Sequence, residues 1–160
     1  MQKPITEKRL ENIALFYLER FEASSEKLRQ VLKRRVSRQK MQGICVPPEH
    51  QQWIENVVEK MIQMGYVDDA RYAENAVRRW SEQGKSAFMI RQKLQAERID
   101  SELIEQTLEN NTQNDLDRAR VFARKRNLGH TYEKDLEKLA RAGFSYDIAK
   151  KVLTQEETDA

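Results

Sequence analysis

Seven cationic side chains and no acidic one lie between Glu26 and Glu49: Lys27, Arg29, Lys33, Arg34, Arg35, Arg38 and Lys40. On a helix beginning at Ser24, the residues Leu28, Val31, Leu32 and Val36 take the inward face. Lys27, Arg34 and Arg38 then form one outward row, and Arg29, Lys33 and Lys40 another. Ammonium and guanidinium groups repeated at one-turn intervals, with no carboxylate to neutralise them, suit a polyanion such as a phosphate backbone. A second acid-free window, Arg118 to Tyr132, carries Arg118, Arg120, Arg124, Lys125 and Arg126. Both windows also fit a plainer reading as solvated helix faces. Residues 1–66 hold 12 Lys/Arg against 8 Asp/Glu, residues 67–113 hold 7 against 9, and residues 114–160 hold 10 against 9, so the excess sits in the first segment.

Other reactive residue types do not assemble into a centre. Cys45 is the sole cysteine, and His50 and His130 are far apart in sequence, so no metal-ligand spacing can be written and no metal or cofactor is expected. Asp68-Asp69 resembles an acid/base pair, but it lies one step before a helical pattern, with Val67 placed as a hydrophobic staple, and capping explains it more simply. The five glycines are scattered singly at 43, 65, 84, 129 and 143, so there is no glycine-rich phosphate loop. Tyr72 and Trp80 share a helical face with Ala76 and belong to a core, whereas Phe88 and Trp53 are left open. With no nucleophile–base pair, the chain is not read as an enzyme.

The elements that must position these residues are all helices, since apolar residues recur at three and four positions with no sustained alternation. Adding 45 to Gly84, Leu94, Ile99, Leu103 and Leu108 lands on Gly129, Leu139, Phe144, Ile148 and Leu153. A looser copy lies 62 residues upstream, where Ala76, Val77, Ser86, Ile90 and Leu94 correspond to Ala14, Leu15, Ser24, Leu28 and Leu32. Repetition of this kind marks stacked units that cannot bury their apolar faces alone.

The fold expected is an elongated all-α array of three tandem three-helix repeats, about nine helices with no sheet. The repeats span 1–66, 67–113 and 114–160, the first with the basic second helix and the last ending in an acidic tail. Expected helices run Thr6 to Phe21, Ser24 to Lys40 and Pro48 to Met64. In the middle repeat, one starts at Asp68-Asp69 and stops at Gly84, and others start at Ser86 and at Asp100 or Ser101. The last three span Asp115 to Asn127, Thr131 to Ala142 and Ser145 to Gln155. No apolar stretch approaches the roughly 20 residues needed to cross a bilayer, and the charged MQKPITEKRL start is unlike a secretory signal, so a cytoplasmic protein is expected.

The run GYVDDARYA at Gly65 to Ala73, followed by Gly84, Ile90-Arg91-Gln92-Lys93-Leu94 and Ile99, resembles the central signature of the RecX regulatory proteins. Upstream, Ala14 to Leu18 with Ser24, Glu26, Leu28 and Leu32 is similar to that family's opening unit, although Lys27 stands where the family places an acid. Downstream, Lys138-Leu139 and Gly143-Phe144 through Leu153 is similar to its closing unit, so the resemblance covers roughly residues 10–153. It departs at Ser86, where a second glycine is common, and at the bulky Trp80, so helix entry and packing are expected to differ there.

The resemblance implies a non-enzymatic monomer acting in recombination, repair and the SOS response. Such a protein binds the RecA recombinase filament on single-stranded DNA, lodges in its groove and suppresses its ATPase, strand-exchange and coprotease activities. A stand-alone DNA-binding protein and a protein-only helical adaptor are the other classes the residues allow.

Overall fold

The computed structural model describes residues 3–158, with side chains described as far as Thr154; the end of the expected acidic tail lies outside the described residues. Among these residues there are nine α-helices and no strand: α1 Glu7–Leu18, α2 Ser25–Met41, α3 His50–Gln63, α4 Asp69–Glu82, α5 Ala87–Ala96, α6 Ser101–Asn110, α7 Asp115–Lys125, α8 Tyr132–Arg141 and α9 Tyr146–Thr158. The all-α expectation is met. The chain separates into two compact units, Met1–Tyr72 and Ala73–Ala160, with the division inside α4.

In the first unit, apolar residues four apart on α2, Leu28, Leu32 and Val36, meet Leu10 and Ala14 of α1 and Ile54, Val57, Val58 and Met61 of α3. Val67 and Ile5 close the ends of this core. Nearly complete burial of these side chains stabilises the unit by about 1.5–3 kcal/mol for each large one. In the second unit, Ala119 and Ala123 of α7 pack with Leu139 of α8 and with Ala149, Val152 and Leu153 of α9, joined by Leu128 and Phe144. Ile90, Leu94, Ile99 and Ile104 are buried as well. Trp80 departs from expectation: it is only half-buried and lies against two cations, with Arg79 5.7 Å and Lys93 5.4 Å from its ring centroid.

Helices α2, α3, α4, α5, α7 and α8 end by a shared device. After α4, the Gly84 N–H bonds the Ser81 carbonyl and the Lys85 N–H the Trp80 carbonyl, the paired bonds of a Schellman stop with Gly84 at positive φ. Glycine is required there for a second reason, because a Cβ would lie 2.7 Å from the Phe122 backbone nitrogen. After α7 the same bonds form around Asn127, at φ 52, rather than around Gly129. The sequence match of Gly129 to Gly84 is therefore two residues out of register as a helix stop. Those two residues lengthen the α7–α8 connection, and Gly129 serves inside that loop.

Candidate nucleic-acid interface

Each second helix of a triplet enters under a clamp. Ser24 is the N-cap of α2, its hydroxyl accepting the Lys27 N–H at 3.1 Å. The next N–H, that of Ser25, donates to Asp69 Oδ1 at 2.8 Å, and the Ser25 hydroxyl donates to Asp69 Oδ2 at 2.7 Å. Asp68 caps α4 itself, accepting the Arg71 N–H at 3.1 Å. The aspartate pair thus has two tasks, of which the sequence revealed only the capping of α4.

The second triplet repeats the arrangement. Ser86 caps α5 through the Met89 N–H and donates its own hydroxyl to the Ala142 carbonyl at 2.8 Å, while Asp115 Oδ1 receives the Ala87 N–H at 2.9 Å. A serine at this departure point completes two hydrogen bonds that glycine could not. In the third triplet Thr131 makes no side-chain cap, and the buried Asp135 reaches back from within α8 to accept the Gly129, His130 and Thr131 N–H groups at 2.9–3.2 Å. The Gly129 amide, then those of Thr131 and His130, hold its carboxyl below the ordinary carboxylate range against the opposing effect of burial.

These contacts fix which cations are available. Arg29 is not a free member of the outward row: its Nε and Nη2 bind Glu55 at 2.6 and 3.1 Å, and its Nη1 binds Glu26 at 2.6 Å. Sixty-two positions on, Arg91 makes the same forked contact with Glu105 at 2.6 and 3.2 Å. Both guanidinium groups are held more strongly protonated than usual, chiefly by the Glu55 and Glu105 carboxylates respectively, and both brace the second helix of a triplet to the third. Helical periodicity placed Arg29 outward, and it could not reveal a carboxylate supplied from α3.

Arg118 is a second correction. It is 3 % exposed and donates to Ser81 Oγ at 2.9 Å, to Asp115 Oδ1 at 3.1 Å and to Asn111 Oδ1 at 3.3 Å. It therefore neutralises the aspartate that clamps α5 and is closed to any ligand.

The remaining α2 cations are open. Lys33, Arg34, Arg38 and Lys40 are exposed and Lys27 is half-buried; Lys27, Lys33, Arg34 and Arg38 make no ion pair among the described residues. Lys40 Nζ lies 3.5 Å from His50 Nε2, whose ring is oriented by an Nδ1–H bond to the Pro47 carbonyl at 2.7 Å. Lys33, Ser37, Lys40, His50 and Gln51 line a groove of about 510 Å³ between α2 and α3. Of the other window, Arg120 faces Asp117 at 3.7 Å, Lys125 lies 3.5 Å from the Gln83 carbonyl, Arg124 is exposed and Arg126 lies over the Phe122 ring at 5.3 Å. Phe122, Lys138 and Arg141, none of them read as a site residue from the sequence, share a pocket with Arg126. The four-residue step from Phe122 to Arg126 is the one signal that could have flagged it.

No group of three or more His, Cys, Asp or Glu able to hold a metal occurs among the described residues, and none of their helices is long and apolar enough to cross a membrane.

A family model for the second three-helix domain of RecX matches residues 68–108, from the capping Asp68 to the last turn of α6. The regulatory protein RecX of Myxococcus xanthus is 36% identical over 157 residues, an alignment covering 90% of this chain and 83% of that protein. The chain belongs to the RecX family. A second RecX, from Agrobacterium fabrum, is 31% identical over 158 residues, covering 93% of this chain and 84% of the relative. The crystal structure of RecX from Lactobacillus salivarius superposes with a TM-score of 0.67 at 20% identity, covering 95% of this chain and 97% of that one, a likeness of fold. The clamps, braces and open cations described above are thus features of a RecX-family helical repeat.

Proposed function

We propose that this RecX-family protein is a non-enzymatic cytoplasmic monomer that binds the RecA recombinase filament on single-stranded DNA and suppresses its ATPase, strand-exchange and coprotease activities. The observation that carries the nucleic-acid half of this reading is the uncompensated α2 row. Arg34 and Arg38 stand exposed one turn apart with no carboxylate partner among the described residues, while the neighbouring Arg29 is fully engaged in bracing. Cations left unpaired beside a paired one suit an external anion, and a phosphate backbone supplies such anions in series. Family membership supports the regulatory half.

The reading is tested by adding the protein to preformed recombinase filaments and following DNA-dependent ATPase. Wild type lowers the rate, and Arg34→Ala/Arg38→Ala lowers it less while melting as wild type does. For single strands each lost phosphate contact reduces the log-affinity against log-salt slope by about 0.7, so the double variant loses about 1.4. Unchanged filament activity at saturating protein would overturn the regulatory reading. A double variant with wild-type affinity and slope would remove α2 from the contact surface.

A further inference from the structure

Phe122, Arg126, Lys138, Arg141 and Ala142 line a pocket of about 460 Å³ between α7 and α8, with three cations and no acid in its wall. The nearest carboxylates are committed or weakly held. Asp135 accepts three backbone N–H groups and lies 3.7 Å from Lys138 Nζ, whereas the Arg141–Glu137 pair joins two exposed side chains that solvent screens. Arg126 lies over the Phe122 ring at 5.3 Å and makes no ion pair among the described residues. Beside Ala142, the exposed Phe88 flanks Gly143, where a Cβ would come within 3.0 Å of Phe88 Cδ1.

We propose that this pocket holds one nucleotide of a single strand, with the base against the Arg126 guanidinium and Phe122, and the phosphate neutralised by Lys138 and Arg141. An acidic peptide would satisfy the cations but leave the aromatic wall unused; a nucleotide matches both, and an unpaired base presents the flat face that a guanidinium or aromatic ring stacks upon. The inference rests on the nucleic-acid reading above but on a different triplet.

The test uses the full chain, a fluorescent oligo-dT of about ten nucleotides, its duplex, and anisotropy at several salt concentrations. Arg126→Ala/Lys138→Ala/Arg141→Ala is expected to bind the single strand at least tenfold more weakly and to lose about 0.7 from the salt slope, for the one neutralised phosphate. Arg126→Lys keeps the charge and loses the planar stack, so it should weaken single-strand binding about fivefold with the slope intact and leave duplex binding unchanged. All variants lie at exposed positions, and their melting curves should overlay that of wild type.

Wild-type single-strand affinity in the triple variant would overturn the proposal. So would an Arg126→Lys protein indistinguishable from wild type, which reduces the pocket to a phosphate patch. A triple variant that keeps oligonucleotide binding but loses the filament would assign the pocket to protein acids instead. Arg34→Ala/Arg38→Ala, measured alongside, separates the two readings: loss there without loss in the triple variant sinks the pocket alone, and the reverse pattern removes only α2.

Discussion

The entries to α5 and α8 begin from equivalent positions 45 residues apart and are secured in opposite ways. At α5, the serine cap is completed by Asp115, a residue of α7, whose charge is balanced by the buried Arg118. At α8, the carboxylate comes from α8 itself, and a connection two residues longer folds its amides onto Asp135. The first arrangement makes one triplet depend on its successor, and the second makes a triplet self-sufficient. The α2 entry follows the first pattern through Asp69, but Tyr72 stands three residues after Asp69 where Arg118 stands three after Asp115. A clamp therefore does not require a buried guanidinium.

That contrast can be broken most forcefully at Asp115. Asp115→Ala removes the Ala87 clamp and strands Arg118, 3 % exposed, without its counter-charge. The expected loss is about 3–5 kcal/mol in chemical denaturation, against about 1–2 kcal/mol for Asp69→Ala, where no such charge is stranded. Equal losses would mean that Arg118 finds sufficient partners in Ser81 and Asn111.

Gly84→Ala comes next, with a loss of at least about 2 kcal/mol, because the added Cβ meets the Phe122 backbone as well as adopting a left-handed conformation. Gly43→Ala, with open space around it, should lose only about 1 kcal/mol in the same measurement.

Asp135→Asn is expected to lose about 1–3 kcal/mol, since a neutral amide oxygen accepts the three N–H groups more weakly. Its pH signature is distinct. Because the folded carboxyl titrates below its ordinary value, its stabilisation is complete above the unfolded pKa and disappears as pH falls through the lower folded one. Melting temperature followed into acid should therefore fall less steeply for Asp135→Asn than for wild type.

Much of the scaffold was legible because it is written in short-range pattern. Ser24, Ser86 and Asp100 announce helix starts by their own chemistry, and Leu28, Leu32, Ile90, Leu94 and Leu139 announce the buried faces by their spacing. What stayed hidden depends on a partner from another element. Arg29 and Arg118 look like free cations until Glu55 and Ser81 are brought beside them, and Asp69 looks like a second cap until Ser25 arrives. Gly129 misled because Asn127 tolerates the left-handed conformation and so displaced the stop. Trp80 misled because periodicity fixes direction, while the depth of burial depends on what packs above.

The clamps also impose an order on synthesis. A nascent chain emerges amino end first, so α2 cannot be finished at its entry until Asp69, 44 residues later, has left the ribosome, and α5 must wait 28 residues for Asp115 and, at Ser86, 56 for the Ala142 carbonyl. The entry of α8 waits only for the first turn of its own helix. The helix carrying the open cationic row is therefore completed at its entry only after the second triplet has begun to appear, and α5 only once α8 has been made.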